Sequence, residues 1–469
     1  MPGDCIPASL QGILDAFASC FTRPSFENFL ALTCGWILCR TRRWITRAIV
    51  ASGVLGRKHH SSFYRFFSSA RWVPDALGHS LFRLLLPYLP RDIEAMVDDT
   101  LCRRSGPRIF GVSMQRDGAA SSYGRGGPAV QAFACGHSWV VLSVRLPLPW
   151  NPQGCAIPIL ARLYRSPKRC PEAEYNKRTQ LARQLIDMLA KSLPEGRTLH
   201  LTGDREYACR TVLRDLDSGV QFTGPLVMDA MLYDPVSPRP RRGVGRPRVH
   251  GERLASPKQR AHDKRSKWEK ISVVLYGGRA TDLLIQSWTC LWYTGTRQRL
   301  VRVVLTRDPK GNYDDRAFFS TEHSASAAKI LQRFVGRWLI EVSFRDTKQL
   351  FGLVDPQNGF SRGVRSKKKP GPQPRGNRGR RAVERTAPFI WTVYGIVIVW
   401  YLGEGRWQRD VQALRKRAPW YRSKRSPSFE DMLDALRTEL LVHRVLGHPL
   451  LNRTRAETRR ALRDLGMAA

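Results

Sequence analysis

Phe334, Arg337, Glu341, Arg345 and Lys348 recur at steps of three or four within the stretch 329–352, KILQRFVGRWLIEVSFRDTKQLFG. At 3.6 residues per turn such steps put all five on one stripe of a single helix, ~21 Å long at ~1.5 Å per residue. Leu331, Val335, Trp338 and Val342 supply an adjoining apolar stripe that can seat the helix on a core. One carboxylate set among cations, on a helix anchored by a tryptophan, suits metal and phosphate chemistry. The same spacing also fits a solvated face on which Arg337 and Arg345 are helical partners of Glu341.

Two further acidic positions stand at strand ends. The segment RDIEAMVDDT, 91–100, reads as a short strand closing on Asp98 and Asp99. Strand side chains alternate between faces, so the two cannot both point at one site while the chain stays extended. In 197–207, Leu199 and Leu201 face inward on a second strand, Gly203 breaks it, and Asp204 is left at its carboxyl end. Ligands and catalytic groups gather at such strand ends in α/β sheets.

The elements that must position these groups follow along the chain. Residues 1–90 read as helical: Phe26, Phe29, Leu30 and Cys34 have helical spacing, 44–51 form another short helix, and Gly53 and Gly56 make a turn before HHSSFYRFFSSARW. A helix, a glycine turn and a helix carrying Arg57, Lys58, His59, Tyr64 and Arg65 fit a helix-turn-helix DNA reader, or equally a packing domain with a basic surface. Extended stretches follow at 109–112, 129–146 and 156–163, then a mixed-charge helix at 172–192 with Leu181, Leu185, Met188 and Leu189 on one side. Residues 220–320 hold a basic, proline-rich run and then alternating segments with glycine turns, which read as antiparallel strands of an inserted, mainly β subdomain. Trp288 and Trp292 lie there, either as core or as a platform for an unpaired base at a DNA end. Within its basic run, GRPR at 245–248 is similar to half of a minor-groove hook. A second basic run, 362–385, reads as a mobile phosphate-binding loop or a linker. The uncharged stretch 387–403 is short of the ~20 residues a membrane span needs and reads as a buried helix. Arg-rich helices close the chain from 404 to 469, with Met432, Leu433, Leu436, Leu440 and Leu441 as a face for a dimer or for local packing.

Composition narrows the partners. At 469 residues and 42% hydrophobic content the chain can bury a large core plus smaller domains. A net charge of +39, from 78 Lys and Arg against 39 Asp and Glu, calls for a polyanion: nucleic acid first, an anionic membrane second. Ten cysteines without a Cys-x-x-Cys pair or a zinc-like spacing to histidine read as reduced thiols in the cytosol. Asp4 and Asp15, with no basic n-region, argue against a secretory signal.

Phe334, two residues, Arg337, three residues, Glu341, six residues, Lys348 resembles the Tyr-Arg-Glu-Lys signature of DDE transposases of bacterial insertion sequences, the IS-four-like branch, with phenylalanine in the tyrosine position. Asp98 two before Thr100, Gly203-Asp204-Arg205 with Tyr207, FYRFFSSARW and the apolar penultimate helix are also similar to that family. The resemblance implies an α/β catalytic core of ribonuclease-H-like fold over 91–219 and 321–403. Around it would lie the inserted mainly β subdomain at 220–320, an N-terminal all-α DNA-binding domain at 1–90 and a C-terminal basic helical region at 404–469. It implies a transposase that binds element ends, nicks the 3′ strand and performs strand transfer by two-metal chemistry, as a homodimer on paired terminal inverted repeats and target DNA. Asp98, with Asp99 as second choice, would join Asp204 and Glu341 in holding two Mg²⁺ ions, or Mn²⁺ in their place, since hard cations prefer carboxylate oxygens. Arg337, Lys348 and Arg345 would grip DNA phosphates, with Trp288 and Trp292 as further DNA contacts. Such a protein acts in the cytoplasm on the nucleoid of a bacterium and not at a membrane. A catalytically inactive, domesticated DNA-binding regulator is the alternative.

Overall fold

The computed structural model describes residues 6–104, 109–118, 120–121, 131–236, 248–275, 278, 280–356 and 376–446. Helices come first: α1 (Ala8–Asp15), α2 (Arg23–Leu38), α3 (Ile45–Ser52), α4 (Ser61–Ser68) and α5 (Pro74–Leu85). Then follow β1 (Asp92–Arg103), β2 (Ser113–Arg116), β3 (Phe133–Leu148), β4 (Asn151–Tyr164), α6 (Arg178–Ala190), β5 (Thr198–Gly203), α7 (Arg210–Leu213) and β6 (Val220–Leu226). The stretch expected as an insertion continues with β7 (Leu232–Tyr233), β8 (Arg253–Leu254), α8 (Pro257–His262), β9 (Glu269–Val274), β10 (Ala280–Leu291), α9 (Tyr293–Thr296), β11 (Leu300–Arg307) and β12 (Arg316–Ser320). The chain closes with α10 (Ala327–Gly336), α11 (Trp338–Gln349), α12 (Gly376–Glu404), α13 (Trp407–Arg417) and α14 (Phe429–Leu446).

One twelve-stranded sheet organises these elements. Strands β4, β3, β1, β5 and β6 lie side by side in that order. β3 is antiparallel to both β1 and β4, β5 is parallel to β1, and β6 is parallel to β5. That order and those directions are the ribonuclease-H-like fold. Residues 220–320 thus begin with a core strand, β6, and their antiparallel strands β12, β11 and β10 extend the same sheet from it.

The apolar core explains why 387–403 lacks charge. Helix α12 is buried from Arg385 to Tyr401, so it has no solvated face to keep polar. Among the described residues it alone is long and apolar enough to cross a membrane, yet 89% of its most apolar window is inside the protein. Phe29, Trp36, Phe66 and Phe67 surround Phe389 edge-on, which ties α2 and α4 into one core with α12 and the sheet. Met432, Leu433, Leu436 and Leu440 of α14 are buried in that core, which makes the terminal amphipathic face local packing.

Several sequence expectations are corrected. The helix over 329–352 is two: α10 and α11 meet at Arg337, where i to i−3 bonds (Arg337 N to Phe334 O, Ile340 N to Arg337 O, both 3.1 Å) tighten the turn after Gly336. Its seat is Ile330, Leu331, Leu339, Ile340 and Phe344, whereas Trp338 is 51% exposed. Strand β1 runs on to Arg103 because β3 pairs with it to that point. Residues 109–112 form a turn and the strand starts at Ser113. Helix α6 starts at Arg178, not 172. Arg57, Lys58 and His59 precede α4, whose first N–H, from Ser61, is taken by the His59 ring at 3.3 Å. Helix α12 takes in 376–385, the end of the expected basic loop. The rest of that loop, 362–375, and all of the GRPR segment except Arg248, lie outside the described residues.

Candidate active site

The parallel pairing of β1 with β5 ends at Val97 opposite Gly203. The next residues, Asp98 and Asp204, therefore stand side by side where the two strands finish their shared register. Asp204 is fixed by the turn it opens: its Oδ1 accepts the N–H groups of Glu206 (2.9 Å) and Tyr207 (3.3 Å). Asp98 Oδ1 accepts the N–H of Asp99 at 2.8 Å.

Helix α11 closes the site through Arg337. One guanidinium nitrogen lies 2.5 Å from Asp98 Oδ2 and the other 2.8 Å from Glu341 Oε1, so a single planar cation bridges strand and helix. Asp98 and Arg337 are both about 15% exposed, and this burial has a cost. Burial pushes the Asp98 carboxyl up to about 7, and the nearby Asp204 and Asp99 carboxylates push the same way, while Arg337 and the Asp99 N–H pull it down. Burial would lower the Arg337 pKa, but Asp98, Glu341 and Asp204 outweigh it and raise it.

Asp99 points to the other face, as strand alternation requires. Its Oδ1 accepts the Tyr207 hydroxyl and its Oδ2 the Ser138 hydroxyl, both at 3.3 Å, and Arg178 lies 3.5 Å away. Burial raises its pKa, helped by Asp204 and opposed by Arg178, Tyr207 and Ser138. Arg178, the first residue of α6, also reaches Glu206 at 3.7 Å and lies 4.5 Å from the centre of the Tyr164 ring. Arg178 and Ser138 went unnoticed in the sequence, and no local pattern marks them.

The other expected residues are dispersed. Lys348 lies near Cys102, on the same face of β1 as Asp98 and four residues on: burial raises that thiol's pKa and Lys348 works against it. Arg345, 59% exposed, pairs with Asp346 at 2.8 Å rather than with Glu341. Phe334 packs its ring 4.8 Å from Phe318 in a satellite cluster between α10 and the sheet. Trp292 is buried, edge-on to Phe319 at 5.0 Å and against the Gly295 backbone, so it is a core residue and not a stacking platform. Trp288 is partly buried under the Arg260 guanidinium, 4.3 Å from its ring centre.

The fit of a divalent cation can be judged from the donors. Among the described residues no three His, Cys, Asp or Glu side chains stand close enough to share an ion, and Arg337 holds Asp98 and Glu341 instead. The donor chemistry nevertheless fits: Asp98, Asp204 and Glu341 offer only hard carboxylate oxygens. Burial, with Asp204 and Asp99 adding to it, raises the Asp98 pKa to about 7, and a divalent cation beside it would offset that cost.

A family profile described as DDE superfamily endonuclease matches residues 16–299, well over half the chain and including Asp98 and Asp204. No curated protein matches by sequence. Among solved structures, the cryo-EM structure of a piggyBac transposase synaptic complex with hairpin DNA is similar at a TM-score of 0.37 and 10% identity, over 99% of this chain and 82% of that one.

Proposed function

The chain belongs to the DDE superfamily of endonucleases, and from that premise we propose that it is the transposase of an insertion sequence of the IS-four-like branch. In this reading it binds the terminal inverted repeats, nicks the 3′ strand and transfers it to target DNA, as a homodimer on the nucleoid. The observation that carries the proposal is the Arg337 bridge between Asp98 and Glu341, with Asp204 near enough to raise the Arg337 pKa, in a chain of net charge +39.

Asp98, Asp204 and Glu341 would hold the metal, Mg²⁺ or Mn²⁺. When bound, divalent cations activate the attacking oxygen and neutralise charge at the phosphate. The rest of the work falls to the chain. Tyr207, anchored on Asp99, fixes the turn whose N–H groups aim Asp204. Ser138 and Arg178 hold Asp99 behind the site, with Arg178 offsetting its charge. Arg337, once released from either carboxylate, is placed to grip a phosphate beside the scissile bond with its fork of donors, and Lys348 gives a point charge further along the helix. Arg345 is free to swing to solvent for a backbone contact. Trp288 contributes to DNA contact only if Arg260 moves off its ring. The outer face of α4, with Tyr64 and Arg65 exposed, is the surface offered by the N-terminal helices for reading element ends.

Two observations favour the second reading, a DNA-binding regulator without catalysis: the phenylalanine at 334 lacks the hydroxyl of the signature, and Arg337 occupies the space between Asp98 and Glu341. Metal-dependent nicking of DNA carrying the neighbouring inverted repeats decides between them, comparing wild type with Glu341→Gln. Nicking by wild type, and binding without nicking by the variant, supports the carboxylate mechanism. Binding without nicking by both, with Mn²⁺ also tried, establishes the regulator.

A further inference from the structure

Far from the carboxylates, the segment 404–428 builds a corner with no role in the site above. Helix α13 buries only Val411. It is fastened to the end of α12 by Tyr401, whose hydroxyl donates to Asp410 at 2.6 Å and whose ring meets Trp150 edge-on at 5.4 Å. Trp150 sits in the turn between β3 and β4, at the carboxyl end of β3. Asp98 pairs with Val141, seven residues before that end at Leu148, a distance of about 23 Å at ~3.3 Å per residue. The corner therefore lies at the end of the sheet opposite the carboxylates.

Its surface is unusual for a protein exterior. Trp420 is 77% exposed and Tyr421 44% exposed. In the same segment Arg406, Arg409, Lys416, Arg417, Arg422 and Arg425 are exposed, and none of the six is paired with an acidic side chain among the described residues. The turn that follows the aromatic pair is fastened at Lys424. Arg415 Nε donates to the Lys424 carbonyl at 2.7 Å, Lys424 pairs with Asp431 at 2.5 Å, and the Lys424 ammonium lies 5.1 Å from the centre of the Tyr421 ring. An exposed tryptophan in a segment that also carries six exposed cations matches a surface that is anionic and presents flat apolar edges, which is the groove of duplex DNA.

We propose that the 404–428 corner is a second duplex-DNA-binding surface, in which the six cations grip phosphates and Trp420 lies against the sugars and base edges of the minor groove. A second grip at the far end of the sheet holds DNA beyond the segment at the carboxylates. The inference rests on the reading that DNA is the substrate and is independent of whether the chain nicks it.

The test uses the full chain in EDTA, a 30-base-pair duplex of random sequence, and fluorescence anisotropy over a series of NaCl concentrations. The triple variant Arg417→Gln, Arg422→Gln, Arg425→Gln changes exposed positions only, and its fold is checked by circular dichroism. Its slope of log affinity against log salt should be shallower than wild type by roughly 2 to 3, at ~0.9 per phosphate contact. Trp420→Ala should lower affinity about fivefold with the slope unchanged, the loss of one aromatic contact. If wild type binds and both variants match it in slope and affinity, the inference fails while the DNA reading stands. If wild type does not bind duplex DNA, both fall. If the variants lose binding to phosphatidylserine vesicles but keep that to DNA, the corner is a membrane contact and the proposal is overturned.

Discussion

Replacing Arg337 by methionine separates the charge bridge from the packing around it, because methionine fills most of the same space without the guanidinium. Removing one partner of a buried pair costs ~3–5 kcal/mol where the orphan must stay charged. Asp98 has an escape: its carboxyl sits at about 7 even with Arg337 present, and Arg337 is the largest influence holding it down, so in the variant it rises further. Unfolded, the group titrates near 3.8. A native carboxyl that binds its proton more tightly than the unfolded one loses stability as pH rises from the unfolded to the folded pKa. Wild type should thus lose stability between about pH 4 and pH 7 and then level, whereas the variant follows the same slope and keeps falling above pH 7. That slope is ~1.4 kcal/mol per pH unit for one proton, so the variant should be less stable than wild type by about 2 kcal/mol more at pH 8.5 than at pH 6. Glu341 is a third exposed and can turn to water, so it adds little. Urea unfolding in EDTA at the two pH values reads the difference. An equal loss at pH 6 and pH 8.5 would refute the assignment of Arg337 as the counter-ion of Asp98.

Two further substitutions probe what holds the site and the core. Tyr207→Phe removes the hydroxyl that donates to Asp99 and keeps the buried ring. It should cost about 1 kcal/mol in urea unfolding and lower the nicking rate at unchanged DNA affinity, whereas loss of DNA affinity would place Tyr207 at the DNA surface instead. In Gly35→Ala the added methyl would fall 2.0 Å from the Ala48 carbonyl oxygen, a backbone atom that no rotamer can move. The α2–α3 contact must open, and a loss of roughly 1–3 kcal/mol is expected in the same assay; a variant of wild-type stability would show that the two helices can part without cost.

What the sequence made legible was local. Strand β5 announced itself through the alternation of Leu199 and Leu201 and its glycine stop, and Asp204 falls where that pattern puts it. Helix α12 was visible in its apolar part only: Arg378, Arg380 and Arg381 have the composition of a loop, and their helical state comes from the long apolar segment they lead into. Strand β1 looked short because its last residues are held by pairing with β3 some 35 residues later, a contact with no local trace. The break at Arg337 was hidden for the opposite reason. The spacing of Glu341 and its neighbours is helical on both sides of the tightened turn, and only the outward turn of Trp338 betrays the change of phase. Arg178 was beyond reach as one cation among 78.

The pair Asp98 and Asp99 shows how much follows from a period of two. Adjacent acids on a strand must serve opposite faces, and the surroundings differ accordingly. Asp98 meets a cation that also holds Glu341, so its charge belongs to an arrangement spanning β1, the end of β5 and α11. Asp99 meets two hydroxyls and Arg178, a set that neutralises and orients it without offering it to solvent on the α11 side. Both have raised pKa values, chiefly through burial. A raised pKa alone therefore could not have told them apart; the partners do. One acid faces the helix that brings the third carboxylate. The other supports, through Tyr207, the turn that aims the second, so a change in the Asp99 side chain reaches the site through Asp204 as well as through its charge beside Asp98.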